Sequence, residues 1–239
     1  MEKDTNNIQH QSMQYDLYRL VVIAIFMGAF VAVIGVSVSV WYEYEHLGNA
    51  VFNRRSDFLG DYVHAEFAFV FNIALMLTGI CIMLAMFGLY RLEQGFFSHY
   101  LSLVGSWVGV SVLLMGVFPI NYLEMHRFVS TSFLIGTVCM YVLCILDRFS
   151  GFPTCKGVTF GLSVVGFIAA LSLLLQLDWR YLDFEPCDHL DNEICWIAMT
   201  MWLQTQVVLL WCLSFAWTIK KIATKNYLAL SQRYMSNEL

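Results

Sequence analysis

Two histidines and three carboxylates in two short segments are the side chains of this sequence best suited to chemistry. Asp57, Asp61 and His64 directly precede one long apolar stretch, and Glu124 and His126 lie in a short polar connection between two others. Imidazole and carboxylate groups bind Zn²⁺ and similar divalent ions, and they also serve as general acids and bases. Because neither segment contains a close-spaced ligand motif such as HExxH, we expect mutual hydrogen bonding in preference to a metal site. The candidate metal ligands are His64, His126 and Asp61.

The first of these segments, 56–66, leads without a break into the apolar stretch that follows it. If it is helical, one stripe of that helix carries both aspartates and the imidazole above an amide side chain. The stripe consists of Asp57, Asp61, His64, Ala68 and Asn72. The connection that contains His126 is short, so the two stretches that it joins must be neighbours. We therefore expect His126 at the same depth as His64.

The composition indicates whether water or lipid surrounds the chain. Of the 239 residues, 59% are hydrophobic and only 13% are charged, whereas a soluble domain carries about 25% charged residues. The chain lacks the polar side chains that a water-facing surface needs, so lipid is the predicted solvent. The small number of prolines and the lack of sustained apolar–polar alternation favour helices over the strands of a membrane barrel.

Six stretches of 19 to 26 residues contain no Asp, Glu, Lys, Arg or His, and about 20 helical residues cross the hydrocarbon core of a bilayer. They are Leu20–Tyr42, Phe67–Tyr90, Tyr100–Leu123, Phe128–Leu146, Gly157–Leu177 and Ile194–Ile219. Helix is the predicted conformation because lipid cannot hydrogen-bond a bare backbone. The predicted fold is all-α, a polytopic membrane bundle of six transmembrane helices. We expect one transmembrane domain, 19–219, between an N-terminal segment, 1–18, and a C-terminal tail, 220–239.

The unequal distribution of Lys and Arg predicts the orientation of the bundle. Nine of the 13 basic residues lie on the side of the two termini, and four lie on the opposite side. Basic residues concentrate on the cytoplasmic face of membrane proteins, so both termini are predicted to be cytoplasmic. The segment 1–18 is polar and lacks the basic start and the short apolar core of a cleaved signal, so we expect it to be retained. The His/Asp segments then lie on the outer face.

The polar residues within the predicted spans are few and uncharged. Asn72, Gln204 and Gln206 are the largest of them. Proton pumps, voltage sensors and many ion-coupled carriers need ionisable groups inside the membrane, so the lack of such groups argues against these classes. We expect the three amides to hydrogen-bond between helices rather than to contact a substrate.

Small residues four positions apart occur in two of the predicted helices. Gly105 and Gly109 form a GxxxG pair in the third helix, and Gly157 and Gly161 form another in the fifth. Such pairs let two helix backbones approach closely in lipid. Packing within the chain is the expected use of both pairs, and a dimer face is the alternative.

Cys187 lies in an acidic loop, 178–193, on the predicted outer face, and Cys195 closely follows that loop. Disulfides form in oxidising compartments, so a bond that closes this loop is one interpretation. Two free thiols near a helix end are the other. A metal site is a third and less favoured interpretation, since His189 lies between the two cysteines.

Several motifs between residues 50 and 140 follow one pattern. They are Ser56-Asp57-Phe58-Leu59-Gly60, then Phe71-Asn72 and Leu77-Thr78-Gly79, and later Gly116-Val117-Phe118-Pro119 followed by His126. The pattern resembles a prokaryotic integral membrane family, domain of unknown function 998. The resemblance implies about six helices and a bacterial inner (plasma) membrane, and it singles out Asp57, Asn72, Pro119 and His126. It implies no activity, because that family's activity is unassigned. The architecture alone is also similar to that of DRAM-like six-helix proteins.

The sequence favours a non-enzymatic membrane protein in which the helix bundle and its outer polar cluster bind a lipid or a partner protein, including a second copy. A lipid-headgroup enzyme, with or without a metal, is the first alternative, and it would use His64, His126 and the nearby carboxylates. An uncoupled transporter or channel is the second, and it would need a continuous polar path. The sequence requires no cofactor. Nucleic-acid binding is not expected, because the few cations of 220–233 match the positive-inside effect alone.

Overall fold

The computed structural model describes residues 2–92, 95–151, 153–185, 187 and 194–237. In these ranges the chain forms six α-helices, two short 3₁₀ helices and an isolated β-bridge between Asp178 and Asp183. The α-helices are α1 (Glu2–Leu47), α2 (Ala68–Arg91), α3 (Phe96–Val117), α4 (Leu123–Asp147), α5 (Val158–Gln176) and α6 (Trp196–Asn237). The 3₁₀ helices are η1 (Gly48–Asn53) and η2 (Ser56–Gly60). The prediction of an all-α fold with six long helices is confirmed.

The first and last helices are longer than the apolar stretches that predicted them. α1 begins at Glu2, and α6 continues to Asn237, so helical structure runs through both polar terminal segments. Lipid requires helix only where it surrounds the chain. Beyond that point the segments 2–19 and 220–237 contain no Gly or Pro to interrupt the helix.

The connection between α3 and α4 is displaced from its predicted position. α3 ends at Val117, because a residue before proline is disfavoured in helical conformation and Phe118 precedes Pro119 with ψ 75°. α4 then begins at Leu123, five residues before the predicted span. The expectation that His126 lies in the connection is therefore wrong, because His126 is part of the first turns of α4.

The six helices form a closed ring. Each helix packs against the next one in the chain, and α6 also packs against α1. The connections 48–67 and 118–122 and the described part of 177–195 lie at one end of the ring, which we call the loop end. The opposite end, where α1 begins and α6 ends, is the terminal end.

Glycine sets the approach of α2 to α3. A Cβ atom on Gly79 would lie 2.5 Å from the backbone nitrogen of Leu113 and 2.7 Å from the carbonyl oxygen of Gly109. The Gly105/Gly109 pair thus packs within the chain, as expected. The corresponding expectation for Gly157 and Gly161 is wrong, since a Cβ on either would meet no atom within 4 Å.

The interior and the exterior of the ring are both apolar. At the terminal end, Leu89, Leu92, Leu101, Phe215 and Ile219 are at most 1% exposed and belong to one packed cluster, which we call the terminal plug. Large apolar side chains also point outward along the helices, a surface that suits lipid. All six helices are long and apolar enough to cross a membrane. The fold is that of a multi-pass integral membrane protein.

Candidate functional site

The segment that precedes α2 does not extend that helix. Residues 56–60 form the 3₁₀ helix η2, residues 61–67 form turns, and α2 begins only at Ala68. The predicted stripe of five residues on one helix is therefore wrong. The side chain of Asn72, 2% exposed, donates a hydrogen bond of 3.0 Å to the carbonyl oxygen of Gly60. This bond holds η2 over the end of α2. The fit is close, because a Cβ on Gly60 would lie 2.6 Å from the side-chain oxygen Oδ1 of Asn72.

Four charged side chains at the loop end form one network. Arg55 donates to Asp57 through Nη2 at 2.5 Å and to Asp183 through Nη1 at 2.8 Å. Arg127, on α4, donates to the second oxygen of Asp183. We call Arg55, Asp57, Arg127 and Asp183 the Arg–Asp network. It joins the α1–α2 connection, α4 and the α5–α6 connection, and its two positive and two negative charges balance.

The network stabilises the ionised form of its carboxylates. Burial would raise the pKa of Asp57, but the Arg55 guanidinium, which donates to this carboxylate, outweighs burial and holds the pKa below its ordinary value. The pKa of Asp183 is also lowered. Burial would raise it, but the backbone N–H of Phe184 and the two arginines outweigh that effect. The pKa of Arg55 is raised, because its two aspartates outweigh burial.

His126 lies beside the network, and one of its ring nitrogens has no hydrogen-bond partner among the described residues. Its side chain is buried, and Nδ1 is 2.9 Å from the carbonyl oxygen of Phe118. A carbonyl only accepts, so Nδ1 carries the hydrogen and Nε2 has a free lone pair in the neutral ring. Nε2 is 3.7 Å from Asp57 Oδ2, too far for a hydrogen bond. Nε2 of His126 and Nε of Arg127 are buried without a hydrogen-bond partner among the described residues.

His64 belongs to a separate and more exposed pair. Its Nδ1 lies 2.5 Å from Asp61 Oδ2, and 70% of its side chain is exposed. Asp61 also accepts from the side chain of Asn121 at 2.8 Å and has a lowered pKa, because these contacts outweigh the effect of burial. The two histidines thus lie beside different carboxylates. Within the described ranges, no three His, Cys, Asp or Glu side chains are grouped to hold a metal ion.

The remaining predicted site residues are dispersed. Glu124 is exposed in the first turn of α4. Gln204 is buried and donates to Thr137 at 3.3 Å, while its Oε1 has no partner among the described residues. Gln206 is exposed on the outside of α6, so its predicted place between helices is wrong.

Cys187 and Cys195 lie within disulfide distance, with their Cα atoms 5.8 Å apart. The structure contains a disulfide between them, which is one of the three interpretations that the sequence left open. His189, the candidate metal ligand between the two cysteines, lies outside the described residues.

A cavity of about 220 Å³ occupies the centre of the ring, and we call it the lumen. Side chains from all six helices line it, and most of them are apolar, including Ile25, Met86, Val108, Leu173 and Phe215. Gln204 lines it at mid-depth. The terminal plug closes one end of the lumen, and the Arg–Asp network with His126 lies at the other.

Two connections cover the loop end of the lumen. η2 contributes the fully buried Leu59, and the α5–α6 connection contributes Leu182 and Phe184. Leu182 has φ 51°, a left-handed conformation that is strained for a residue with a branched side chain. The Asp178–Asp183 bridge and the bonds of Asp183 hold this turn in place. Strained residues of this kind concentrate at ligand sites.

The sequence interpretation missed Arg55 and Asp183 and did not count Arg127 among its candidate site residues. It also gave the exposed His64 and Glu124 the same standing as Asp57 and His126. A usable signal was present, because Arg55 and Arg127 are two of only four basic residues on the predicted outer side. Their common partner, Asp183, was one of several acidic residues in the 178–193 loop. No property of the sequence distinguished it from its neighbours.

Comparison with family models, curated proteins and solved structures found no match to this chain.

Proposed function

We propose that this chain binds one single-chain lipid inside the ring of helices. The polar head lies at the Arg–Asp network and His126, and the hydrocarbon chain extends through the lumen towards Phe215. The observation that carries this proposal is the asymmetry of the lumen: it is mainly apolar along its length, closed by the terminal plug, and charged at the loop end. Ligand sites commonly combine an apolar cavity with a few convergent polar groups.

The dimensions of the lumen favour a single chain. Along α6, the lining residues extend from Met201 to Phe215, which is about 21 Å of helix at a rise of 1.5 Å per residue. The lumen is therefore much longer than it is wide, and its volume is about 220 Å³. A long, mainly apolar cavity of this kind suits one extended hydrocarbon chain.

The two other function classes have less support. A channel or uncoupled transporter needs a polar path across the membrane, but Leu89, Leu101 and Phe215 pack together across the terminal end. A hydrolytic enzyme needs a base in contact with a nucleophile. Nε2 of His126 instead faces the Asp57 carboxylate, and no described serine or cysteine hydrogen-bonds it.

The orientation and the membrane are part of the same proposal. The excess of basic residues on the side of the termini supports cytoplasmic termini, so the head of the lipid lies at the outer face. The motif resemblance to domain of unknown function 998 supports a bacterial inner membrane. On this basis the chain takes its ligand from the lipid of its own membrane, and a protein partner is not required.

Photo-crosslinking tests the proposal. The purified protein in phosphatidylcholine nanodiscs is exposed to single-chain lipids with a diazirine on the chain and with glycerol, carboxylate or phosphocholine heads. We expect peptide mapping to find adducts on lumen residues such as Met86 and Phe215. Adducts confined to outward-facing residues with all three heads would refute lipid binding in the lumen.

A matched pair of variants on α1 controls for labelling from the bilayer. Ala32 lines the lumen and is 8% exposed, whereas the adjacent Val33 is 44% exposed on the outside. Ala32→Phe fills the lumen and should abolish the lumen adducts. Val33→Phe adds the same ring to the lipid-facing surface and should leave them unchanged.

A further inference from the structure

The charges at the loop end of the lumen are already paired. Arg55 contacts both Asp57 and Asp183, and Arg127 contacts Asp183. The two arginines and the two aspartates of the network carry no net charge. An anionic head would have to compete with an aspartate for an arginine, and a cationic head would have to displace an arginine. In either case a half-buried charge would lose its partner, which is costly.

The hydrogen-bonding capacity that remains is specific. Nε2 of His126, in a side chain more than nine-tenths buried, offers a lone pair, since Nδ1 donates to Phe118. Nε of Arg127 offers an N–H group. Both side chains line the lumen, and a buried polar atom that stays unpaired costs free energy. The site therefore needs a ligand group that donates to the imidazole and accepts from the guanidinium.

We propose that the lipid is neutral and that its head carries hydroxyl groups, as in a monoacylglycerol. This inference rests on the proposed function and adds the chemical class of the head. A hydroxyl group donates one hydrogen bond and accepts others. Two neighbouring hydroxyls supply one donor for His126 Nε2 and one for Asp57 Oδ2, two acceptors that lie 3.7 Å apart. Their oxygen lone pairs accept from Arg127 Nε.

Other common heads satisfy fewer of these groups. An ionised carboxylate or phosphate ester mainly accepts, so it leaves the His126 lone pair unpaired and adds a third negative charge beside Asp57 and Asp183. A quaternary ammonium has no hydrogen to donate. A primary ammonium donates but has no lone pair for Arg127.

Competition between lipids that share one chain length and differ in their head group tests the inference. A diazirine monoacylglycerol labels the lumen in nanodiscs, and unlabelled monolauroylglycerol, laurate, dodecyl phosphate and dodecyltrimethylammonium compete with it. We expect monolauroylglycerol to compete at a roughly tenfold lower concentration than the three charged competitors, because it satisfies buried groups that they leave unpaired. Dodecanol distinguishes one hydroxyl from two: competition equal to that of monolauroylglycerol would support the hydroxyl head and remove the need for a diol.

The two histidines supply the matched variants. His126→Ala should abolish the preference for the neutral head while labelling of the lumen persists, and His64→Ala, at the exposed pair, should preserve the preference. If His126→Ala does not fold, His126→Asn serves instead, because its amide can still donate near Phe118. Equal or better competition by laurate or dodecyl phosphate would overturn the neutral head and leave chain binding intact. Failure of every head to label the lumen would refute the proposed function itself.

Discussion

Arg55 donates a hydrogen bond of 2.8 Å to Asp183, although 128 positions separate the two residues in the chain. The guanidinium also lies 5.7 Å from the centre of the Phe184 ring, within the range of a cation–π contact. This pairing fastens the α5–α6 connection to the α1–α2 connection over the lumen. The cover of the lumen thus depends on one long-range ion pair and its neighbour, Arg127.

Asp183→Asn should loosen this cover. The change leaves Arg55 and Arg127 without their shared carboxylate, at sites where their side chains are only 20% and 25% exposed. We expect a loss of stability of about 2 kcal/mol, below the value for a fully buried pair, measured as a lower midpoint of thermal unfolding in nanodiscs. Asp178→Asn, an exposed carboxylate in the same connection, is the control. Equal destabilisation by both variants would mean that the network is not what holds the connection.

The stability of the protein should depend on Asp57 in a defined pH window. Its pKa of about 2 lies below the ordinary value of 3.8 for an aspartate, so its contribution is fully present above pH 3.8 and is lost as pH falls through 2. We expect Asp57→Asn to be less stable than wild type by about 2 kcal/mol near neutral pH, with the difference shrinking between those two values. Thermal unfolding midpoints of both proteins, measured across this pH range, test the prediction. Glu124→Gln, which removes an exposed carboxylate, should show the same pH dependence of the unfolding midpoint as wild type. A loss of stability in Asp57→Asn that stays constant with pH would contradict the lowered pKa of Asp57.

Gly79→Ala should separate α2 from α3. The added methyl meets backbone atoms of Leu113 and Gly109 at 2.5 and 2.7 Å, and backbone cannot move aside as the tip of a side chain can. Overpacking of this kind costs about 2 kcal/mol, which a thermal unfolding curve would detect. Gly161→Ala, where the methyl meets open space, should be neutral. A neutral Gly79→Ala would show that the two helices lie further apart.

The Cys187–Cys195 pair reports both redox state and orientation. On intact cells, a membrane-impermeant maleimide should label these cysteines only after treatment with a reductant, because the pair is bonded and, in the proposed orientation, lies on the outer face. The free cysteines Cys144 and Cys155 are buried and should remain unlabelled. The double variant Cys187→Ser/Cys195→Ser should lose the signal. Labelling that requires permeabilised cells would reverse the assignment of the two faces.

The helices were predictable because one physical requirement governs them. Lipid cannot satisfy backbone N–H and C=O groups, so any uncharged apolar stretch of sufficient length must be helical. Each of the six predicted stretches, from Leu20–Tyr42 to Ile194–Ile219, corresponds to one helix. The same argument could not place the outer bounds of α1 and α6. Those ends lie in polar segments, where lipid imposes no constraint.

The site was predictable only in part. His126 and Asp57 were singled out, and they lie beside each other, but the exposed His64 attracted equal attention. The helical stripe from Asp57 to Asn72 was wrong because periodicity assumes a continuous helix. Local hydrogen bonds, including the one from Asn72 to Gly60, instead fold residues 56–67 into 3₁₀ and turn structure.

The sequence by itself determined that lipid is the solvent and that six apolar stretches are helical, since both depend on local hydrophobicity. Only the tertiary structure decided that α6 closes the ring against α1, that a lumen remains at its centre, and that Asp183 meets Arg55 and Arg127. Those relationships depend on which surfaces of distant segments fit together. No window of sequence contains both partners of such a contact.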